Sequence, residues 1–333
     1  MPIIYWGVIL KKILILFGGN SYEHLVSCKS AKTIMENIDK KKYDVTLVGI
    51  TKSNTWYIYN DLLKYLDNEL WYTKNVIKID NIIPFLKTFD KVFPIIHGNP
   101  LENGNLQGLL NMFNIKYIGS NLEESSICYD KEITKIILNN YNINQVPYKV
   151  ILNKKDDLKL NFDFPVIVKP SRCGSSIGIN IAYNNKELKK YIKEAFKYDN
   201  KVIVEKYIKD NLELECSILE NKKLLVSTVG MIKPINKFYD YEAKYEKTSN
   251  LIIPALINKE LEKEIKMLSF KIFKILNLKN LARIDFLYDN SANKLYFNEV
   301  NTMPGFTNIS MFPSLFNYDN INIKELISIL IEN

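Results

Sequence analysis

The sequence predicts a mixed α/β chain of more than one domain, on three observations. Its 333 residues exceed what one hydrophobic core usually serves, and roughly 150 residues per domain implies two or three. Short β-branched runs alternate with helix-period segments over the first 120 residues, the pattern of an open α/β sheet. Beyond that point a helix near Asp130 to Asn140 and a strand at Val146 to Leu152 start a new unit, and the chain later forms a hairpin from Leu281 to Asn301.

Element by element, Lys12 to Phe17 (KILILF) reads as a buried strand that breaks at Gly18-Gly19 and feeds a helix from about Tyr22 to Asn37. Val45 to Ile50 and Lys91 to Ile96 are further strands, Asn105 to Phe113 a helix, and Lys116 to Ile118 a short strand. A helix near Asp130 to Asn140 opens a new unit. It continues with strands Val146 to Leu152, Pro165 to Lys169, Ile179 to Tyr183 and Val202 to Tyr207, and with a helix near Lys186 to Phe196. Strands Glu213 to Leu219 and Leu224 to Val229 follow, then a polar aromatic stretch from Asn236 to Asn250. Helix Lys259 to Leu276, a hairpin from Leu281 to Asn301 and a helix near Ile323 to Ile331 complete the pattern.

Composition excludes several classes. Apolar residues make up 47% and charged residues 25%, which rules out a disordered, collagenous or disulfide-scaffold chain. The four cysteines (Cys28, Cys128, Cys173, Cys216) are far apart, which suits a reducing cytoplasm. No apolar run approaches ~18 residues, so no membrane span is expected. The opening MPIIYWGVIL lacks the basic flank and small-residue cleavage site of a signal peptide. The net charge of +8 is spread through interleaved lysines and acids, the habit of a solvated surface. The expectation is therefore no nucleic-acid partner, with a positive bias that suits the handling of phosphates.

Rare residues carry more information. Of 45 basic residues 43 are lysine; the arginines are Arg172 and Arg283, and the histidines are His24 and His97. A chain so biased towards lysine, as in an AT-rich genome, keeps arginine where the planar five-donor fork is needed. Arg172 lies in Pro165-Val-Ile-Val-Lys169-Pro-Ser171-Arg172-Cys-Gly174-Ser175-Ser176-Ile-Gly178, a strand ending in lysine and then a small-residue loop. Backbone N–H groups there can approach an anion closely, with Lys169 neutralising phosphate charge. Glycine and serine serve a plain hairpin loop equally well. Neither GxxxxGK[ST] nor GxGxxG occurs.

Arg283 lies in the hairpin that joins Leu281–Tyr288 to Lys294–Asn301. Centring its turn near Ala292 pairs Asp285 with Glu299 and Arg283 with Asn301, all on one face, with Ala282, Ile284, Phe286 and Val300 on the other. Asp, Glu and Asn offer only oxygen ligands, which suits Mg²⁺ bridging to phosphates. A solvated charged face is the plainer reading, but two opposed acids repel without a cation.

These segments resemble the ATP-grasp superfamily, and the whole chain resembles the D-alanine–D-alanine ligases. The motifs run from end to end: Phe17-Gly-Gly-Asn-Ser-Tyr-Glu23-His-Leu-Val-Ser27; His97-Gly98 with Glu102-Asn-Gly104 and Leu106-Gln-Gly108; Asp130-Lys131 with Thr134-Lys135; and Lys169 to Gly178. Asp240-Tyr-Glu242-Ala-Lys244-Tyr245, Ala282-Arg283-Ile-Asp285, Asn298-Glu299-Val-Asn301-Thr302-Met-Pro-Gly305-Phe-Thr and Ser310-Met311 complete the set. The resemblance implies an ATP-grasp fold in three domains: residues 1–125 an open α/β (pre-ATP-grasp) domain, 126–210 the central subdomain and 211–333 the C-terminal subdomain with the metal site.

The implied reaction is ATP-dependent joining of two D-alanines through an acylphosphate, for peptidoglycan precursors, in a cytoplasmic bacterial homodimer. By family likeness Lys131, Lys169, Ser175, Ser176 and Lys244 bind ATP phosphates, and Glu205 and Glu213 lie near adenine and ribose. Asp285, Glu299 and Asn301 would hold two Mg²⁺ (or Mn²⁺) ions. Arg283 and the Gly305 N–H would stabilise the tetrahedral oxyanion. Glu23 would take the first ammonium group, His97 would lie close to that substrate, and Ser310 with the Met311 backbone would bind the second carboxylate. Tyr245 would close over the site towards Ser175 and Glu23, excluding water. His24 reads as a surface residue at a helix start. The chain departs from the family pattern at Leu101, Asn103 and Cys173 and carries an insertion around Asp210 to Leu212. Two alternatives stand beside this reading: a grasp ligase taking D-serine or D-lactate as second substrate, and a non-catalytic nucleotide-binding module. Tyr245 and Met311 favour D-alanine.

Overall fold

The computed structural model describes residues 4–5, 8–153, 156, 158–233 and 250–333. A short ribbon, β1 (Ile4–Tyr5) with β2 (Val8–Ile9), precedes the first sheet. That sheet contains β3 (Lys11–Gly18), β4 (Tyr43–Ile50), β5 (Trp56–Tyr59), β6 (Val76–Lys78) and β7 (Lys91–Pro94), in the order β6-β5-β4-β3-β7. β3 runs parallel to β4 and β7, and its Ile13 to Phe17 are fully buried, as a strand covered on both faces must be. β5 and β6 are antiparallel additions that hydropathy alone did not single out. The expected strand at Lys116 to Ile118 is only an isolated bridge, Tyr117 beside Val92. Helix α1 (His24–Asn37) covers the sheet, and the short α2 (Ile82–Leu86) and α3 (Asn105–Met112) follow β6 and β7.

Helices α4 (Leu122–Tyr129) and α5 (Lys131–Asn139) lead to the second sheet. The Asp130 side chain caps α5, accepting from the Glu132 and Ile133 amides and satisfying donors that the helix leaves open. The second sheet is antiparallel: β8 (Tyr148–Ile151), β9 (Val166–Pro170), β10 (Asn180–Ala182) and β11 (Val202–Lys206), ordered β10-β9-β11-β8, with α6 (Asn185–Ala195) packed against it. The third, also antiparallel, orders β12 (Asn211–Glu220), β13 (Leu224–Lys233), β14 (Asn250–Ile252), β15 (Leu281–Asp289) and β16 (Lys294–Asn301) as β14-β13-β12-β15-β16. Helix α7 (Lys259–Ile275) seals one face through Leu261, Ile265, Ile272 and Phe273.

Of the last helices, α8 (Met311–Tyr318) packs on β12 and β13 of that sheet, and α9 (Ile323–Glu332) follows it towards the first sheet. Phe306, Phe312, Phe316, Leu326 and Leu330 join the core formed by Ile13, Leu14, Val92 and Phe93 of the first sheet. Residues 303–331 thus bridge the hairpin end of the third sheet and the start of the chain. The loop after β16 is thereby held against α1, through Phe306 N–H to Ser30 Oγ at 3.2 Å, and against the loop after β7, through Met303 and His97.

Candidate active site

Strands β12, β15 and β16 lie side by side, and their register builds two polar rows across the sheet. Glu215 pairs with Asp285 and Asp285 with Glu299; one row on, Ser217 pairs with Arg283 and Arg283 with Asn301. Leu214, Cys216, Ile284, Phe286 and Val300, alternating with these residues, face the core under α7. The Asp285–Glu299 and Arg283–Asn301 pairs expected from sequence are therefore present, but that register does not run to the turn. Beyond Asp285 the pairing slips by one, Phe286 meeting Phe297, because a β-bulge leaves Asn298 as the extra residue.

Three carboxylates in one row would repel, and Arg283 lies among them. Its Nε and Nη2 donate to the two Asp285 oxygens at 2.8 Å each, and Nε also lies 2.8 Å from Glu215 Oε2. The Asn301 amide donates to Asp285 Oδ2 at 2.9 Å. Burial would pull the Arg283 guanidinium down, but Asp285 and Glu215 outweigh it and hold the group well above its ordinary value. Glu299 is approached by Lys131 Nζ at 3.3 Å, from the first turn of α5. Burial opposes the Lys131 charge, and Glu299 more than offsets that, so this ammonium too is raised.

A second charge cluster is built from β9, β11 and α5. Glu205, 3% exposed, receives Lys169 Nζ at 2.7 Å on one oxygen and Lys135 Nζ at 2.9 Å on the other. Burial pushes its carboxyl up, yet the two ammoniums prevail and set it at about 2. Lys169 moves in the opposite sense. Burial lowers it, and it shares one carboxylate while facing Lys135 and Lys131. Two cations on one anion leave positive charge under-neutralised, a condition that a phosphate would relieve. Glu205, expected near adenine, thus lies among the lysines, while Glu213 stands on β12, paired with Leu287 and Ile232.

The loop after β9 connects the two clusters to the start of the chain. Lys131 Nζ donates to the Cys173 carbonyl at 2.9 Å, and Ser171 Oγ donates to Asp130 at 2.9 Å, tying the loop to the beginning of α5. Arg172 uses its fork on Asp199, with Nη2 at 2.6 Å and the backbone amide at 2.8 Å. It braces the loop from outside. Ser175 and Ser176 adopt φ of +50° and +58°, and the Ser175 hydroxyl donates to Glu23 Oε1. Glu23, 8% exposed at the cap of α1, also lies against Gly174, where a Cβ would come within 2.6 Å of Oε2.

The remaining wall comes from 303–311 and the loop after β7. His97 is buried, its Nδ1 3.1 Å from the Met303 carbonyl and its Nε2 3.1 Å from Ser30 Oγ. With both nitrogens engaged and burial lowering its affinity for a proton, it is a neutral tie between two loops. Ser310 precedes α8, its Oγ accepting from the Thr307 amide at 3.0 Å, and Gly305 lies so close that a Cβ would meet that oxygen at 2.7 Å. Glu23, His97, Lys131, Ser175, Arg283, Glu299, Asn301, Gly305, Ser310 and Met311 line one cavity of ≈ 90 Å³.

Lys244 and Tyr245 lie outside the described residues. His24 corrects the expectation of a surface residue. It is 1% exposed, Nδ1 bonding the Gly19 carbonyl at 2.7 Å and Nε2 accepting from Trp71 Nε1 at 3.0 Å. Sequence reasoning gave no role to Glu215, Lys135 or Glu102. The signal for Glu215 was its two-residue spacing from Glu213 on a strand, which puts both on one face. Glu102 lines the cavity, with burial and then Glu23 pushing its carboxyl up to about 8.

Two antiparallel sheets, one ending in a lysine-tipped small-residue loop and the other in a carboxylate-bearing ribbon, both closing on an open α/β sheet, constitute an ATP-grasp fold. Solved structures agree. The VanG D-Ala:D-Ser ligase of Enterococcus faecalis superposes with a TM-score of 0.86 at 32% identity, covering 97% of this chain and 99% of that one. The D-alanine–D-alanine ligase of Coxiella burnetii gives 0.82 at 29% identity, with coverage of 97% and 94%. The family models "D-ala D-ala ligase N-terminus" and "D-ala D-ala ligase C-terminus" match residues 12–120 and 137–332. The chain belongs to the D-alanine–D-alanine ligase family. Relatives of that name in Caldicellulosiruptor bescii and Clostridium novyi are 42% and 40% identical, covering 96% and 97% of this chain and 94% and 97% of their own lengths.

Proposed function

We propose that this protein joins two D-alanines into D-alanyl-D-alanine at the expense of ATP, in the cytoplasm, for peptidoglycan precursor synthesis. One observation carries the reading: Glu23, Lys131, Ser175 and Arg283 with Glu299 and Asn301 converge on a single cavity. Lys131 and Lys169, with Ser175, Ser176 and Lys244, take the phosphates; Glu205 keeps its lysines in place, and Glu213 takes the ribose. Glu23 holds the first ammonium group. The carboxylate of that first D-alanine takes the γ-phosphoryl group of ATP, ADP leaving, and the second amine then attacks the acylphosphate carbon and expels phosphate. Arg283 and the Gly305 N–H stabilise the oxyanion that forms. Ser310 and the start of α8 receive the second carboxylate, where the helix N-terminus favours negative charge. Tyr245 closes the site.

Asp285, Glu299 and Asn301 would hold two Mg²⁺ (or Mn²⁺) ions. The donors fit: all three offer oxygen from one face of the β15–β16 ribbon. Asp285 and Glu299 would supply carboxylate oxygens and Asn301 an amide oxygen. The ions, when bound, neutralise phosphate charge.

Met311 supports D-alanine over D-serine as acceptor. Its side chain is 3% exposed and packs against Gly230, presenting nothing to a serine hydroxyl. We also place the domain limits at 1–125, 126–210 and 211–333, and the working unit as a homodimer. The test is incubation of pure protein with ATP, Mg²⁺ and each of D-alanine, D-serine and D-lactate, with products identified by mass spectrometry. D-alanyl-D-alanine should dominate, with one phosphate released per bond. A mixed product in excess would reassign the acceptor, and no phosphate release with any acceptor would leave a binding module.

A further inference from the structure

We propose that Glu215 is a positioning residue for Arg283, holding the guanidinium when the Asp285 carboxylate is given over to a divalent cation. This rests on the functional reading above. Arg283 spends two of its bonds on Asp285, and the same Asp285 belongs to the oxygen donor set. Both uses compete for the same oxygens. An arginine released from Asp285 needs another anion at the same place, since a long side chain otherwise regains rotamer freedom and loses its aim at the reacting carbon.

Glu215 meets that need on three counts. Its strand neighbours are fixed: it pairs with Asp285 in the sheet and stands diagonally beside Arg283, which pairs with Ser217. Its carboxylate Oε2 lies 2.8 Å from Arg283 Nε, so contact is already made while Asp285 is engaged. It is 5% exposed, so its carboxylate is held within the protein rather than in solvent. Glu215 is in line with Asp285 and Glu299, and its Oε2 lies against the Arg283 Nε. The division of labour follows from geometry. Asp285 and Glu299 serve the cation; Glu215 keeps the oxyanion donor in place.

The test is Glu215→Gln beside Glu215→Asp, each compared with wild type by steady-state kinetics and by Mn²⁺ titration, followed by electron paramagnetic resonance, with a non-hydrolysable ATP analogue. Glu215→Gln removes the charge of a buried ion pair 2.8 Å from the guanidinium and should lower kcat about tenfold or more. The KM for ATP should stay within about threefold, because the phosphate-side lysines are untouched. Glu215→Gln should also weaken Mn²⁺ binding, since Arg283 then clings to Asp285. Glu215→Asp keeps the charge and should recover part of both losses, and it remains informative should the glutamine variant fail to fold. Wild-type kcat in Glu215→Gln would overturn the proposal, as would Glu215→Asp no better than Glu215→Gln. A wild-type protein that makes no dipeptide would instead remove the functional reading itself.

Discussion

Glu205→Gln tests the electrostatics of the lysine cluster. The substitution preserves volume and removes the one carboxylate that Lys135 and Lys169 share at 2.9 and 2.7 Å. Removing one partner of a buried pair typically costs about 3–5 kcal/mol, because the remaining charge is left buried and uncompensated. The same figure follows from protonation. Glu205 is held at about 2 against an ordinary 4.5, which corresponds to about 3 kcal/mol of stability for the ionised form. At about 1.4 °C per kcal/mol for 333 residues, the thermal midpoint at pH 7 should fall by about 4 °C. The sign with pH is also set. A carboxyl depressed on folding contributes fully above its ordinary value and loses that contribution as pH falls towards the folded one. The gap between wild type and Glu205→Gln should therefore be constant above about pH 5 and narrow steadily as the pH is lowered from 4.5. Urea unfolding between pH 7 and pH 3.5 measures it. A loss below about 1 kcal/mol at pH 7, or a gap that widens in acid, would refute the assignment of Glu205 as the shared counter-ion.

Other expectations concern catalysis. Arg283→Lys keeps the charge but loses the fork that spans Asp285 and Glu215, and should lower kcat by about two to three orders of magnitude while ATP binding survives, as for loss of an oxyanion donor; unchanged turnover would exclude that role. Gly174→Ala places a Cβ 2.6 Å from Glu23 Oε2 and should raise the KM for the first D-alanine by about tenfold or more, with the KM for ATP changing less; substrate titration of each separates the two. Tyr245→Phe should shift product ratios towards D-lactate in competition assays, and an unaltered ratio would count against its closing role.

How far the site could be read in advance depended on the range of the interaction. Strand alternation is a local property with a period of two, so Asp285, Glu299, Arg283 and Asn301 could be placed on one face from spacing alone. The bulge at Asn298 escaped because it is decided by how the two strands twist against their neighbours. Glu215 is adjacent to Asp285 only through sheet order, which no local pattern encodes. His24 looked like a surface helix start, yet it is buried because Trp71, from a distant segment, closes over it.

Residue types and their spacing determined the chemistry available here: a lysine before a small-residue loop, oxygen donors two residues apart, an arginine retained among lysines. Tertiary structure decided which charges neutralise one another. Glu205 came to bridge two lysines, Glu215 to hold an arginine and His97 to join two loops, since each contact joins segments tens or hundreds of residues apart. Burial then gave those contacts their strength, because a charge removed from water must find its partner within the fold.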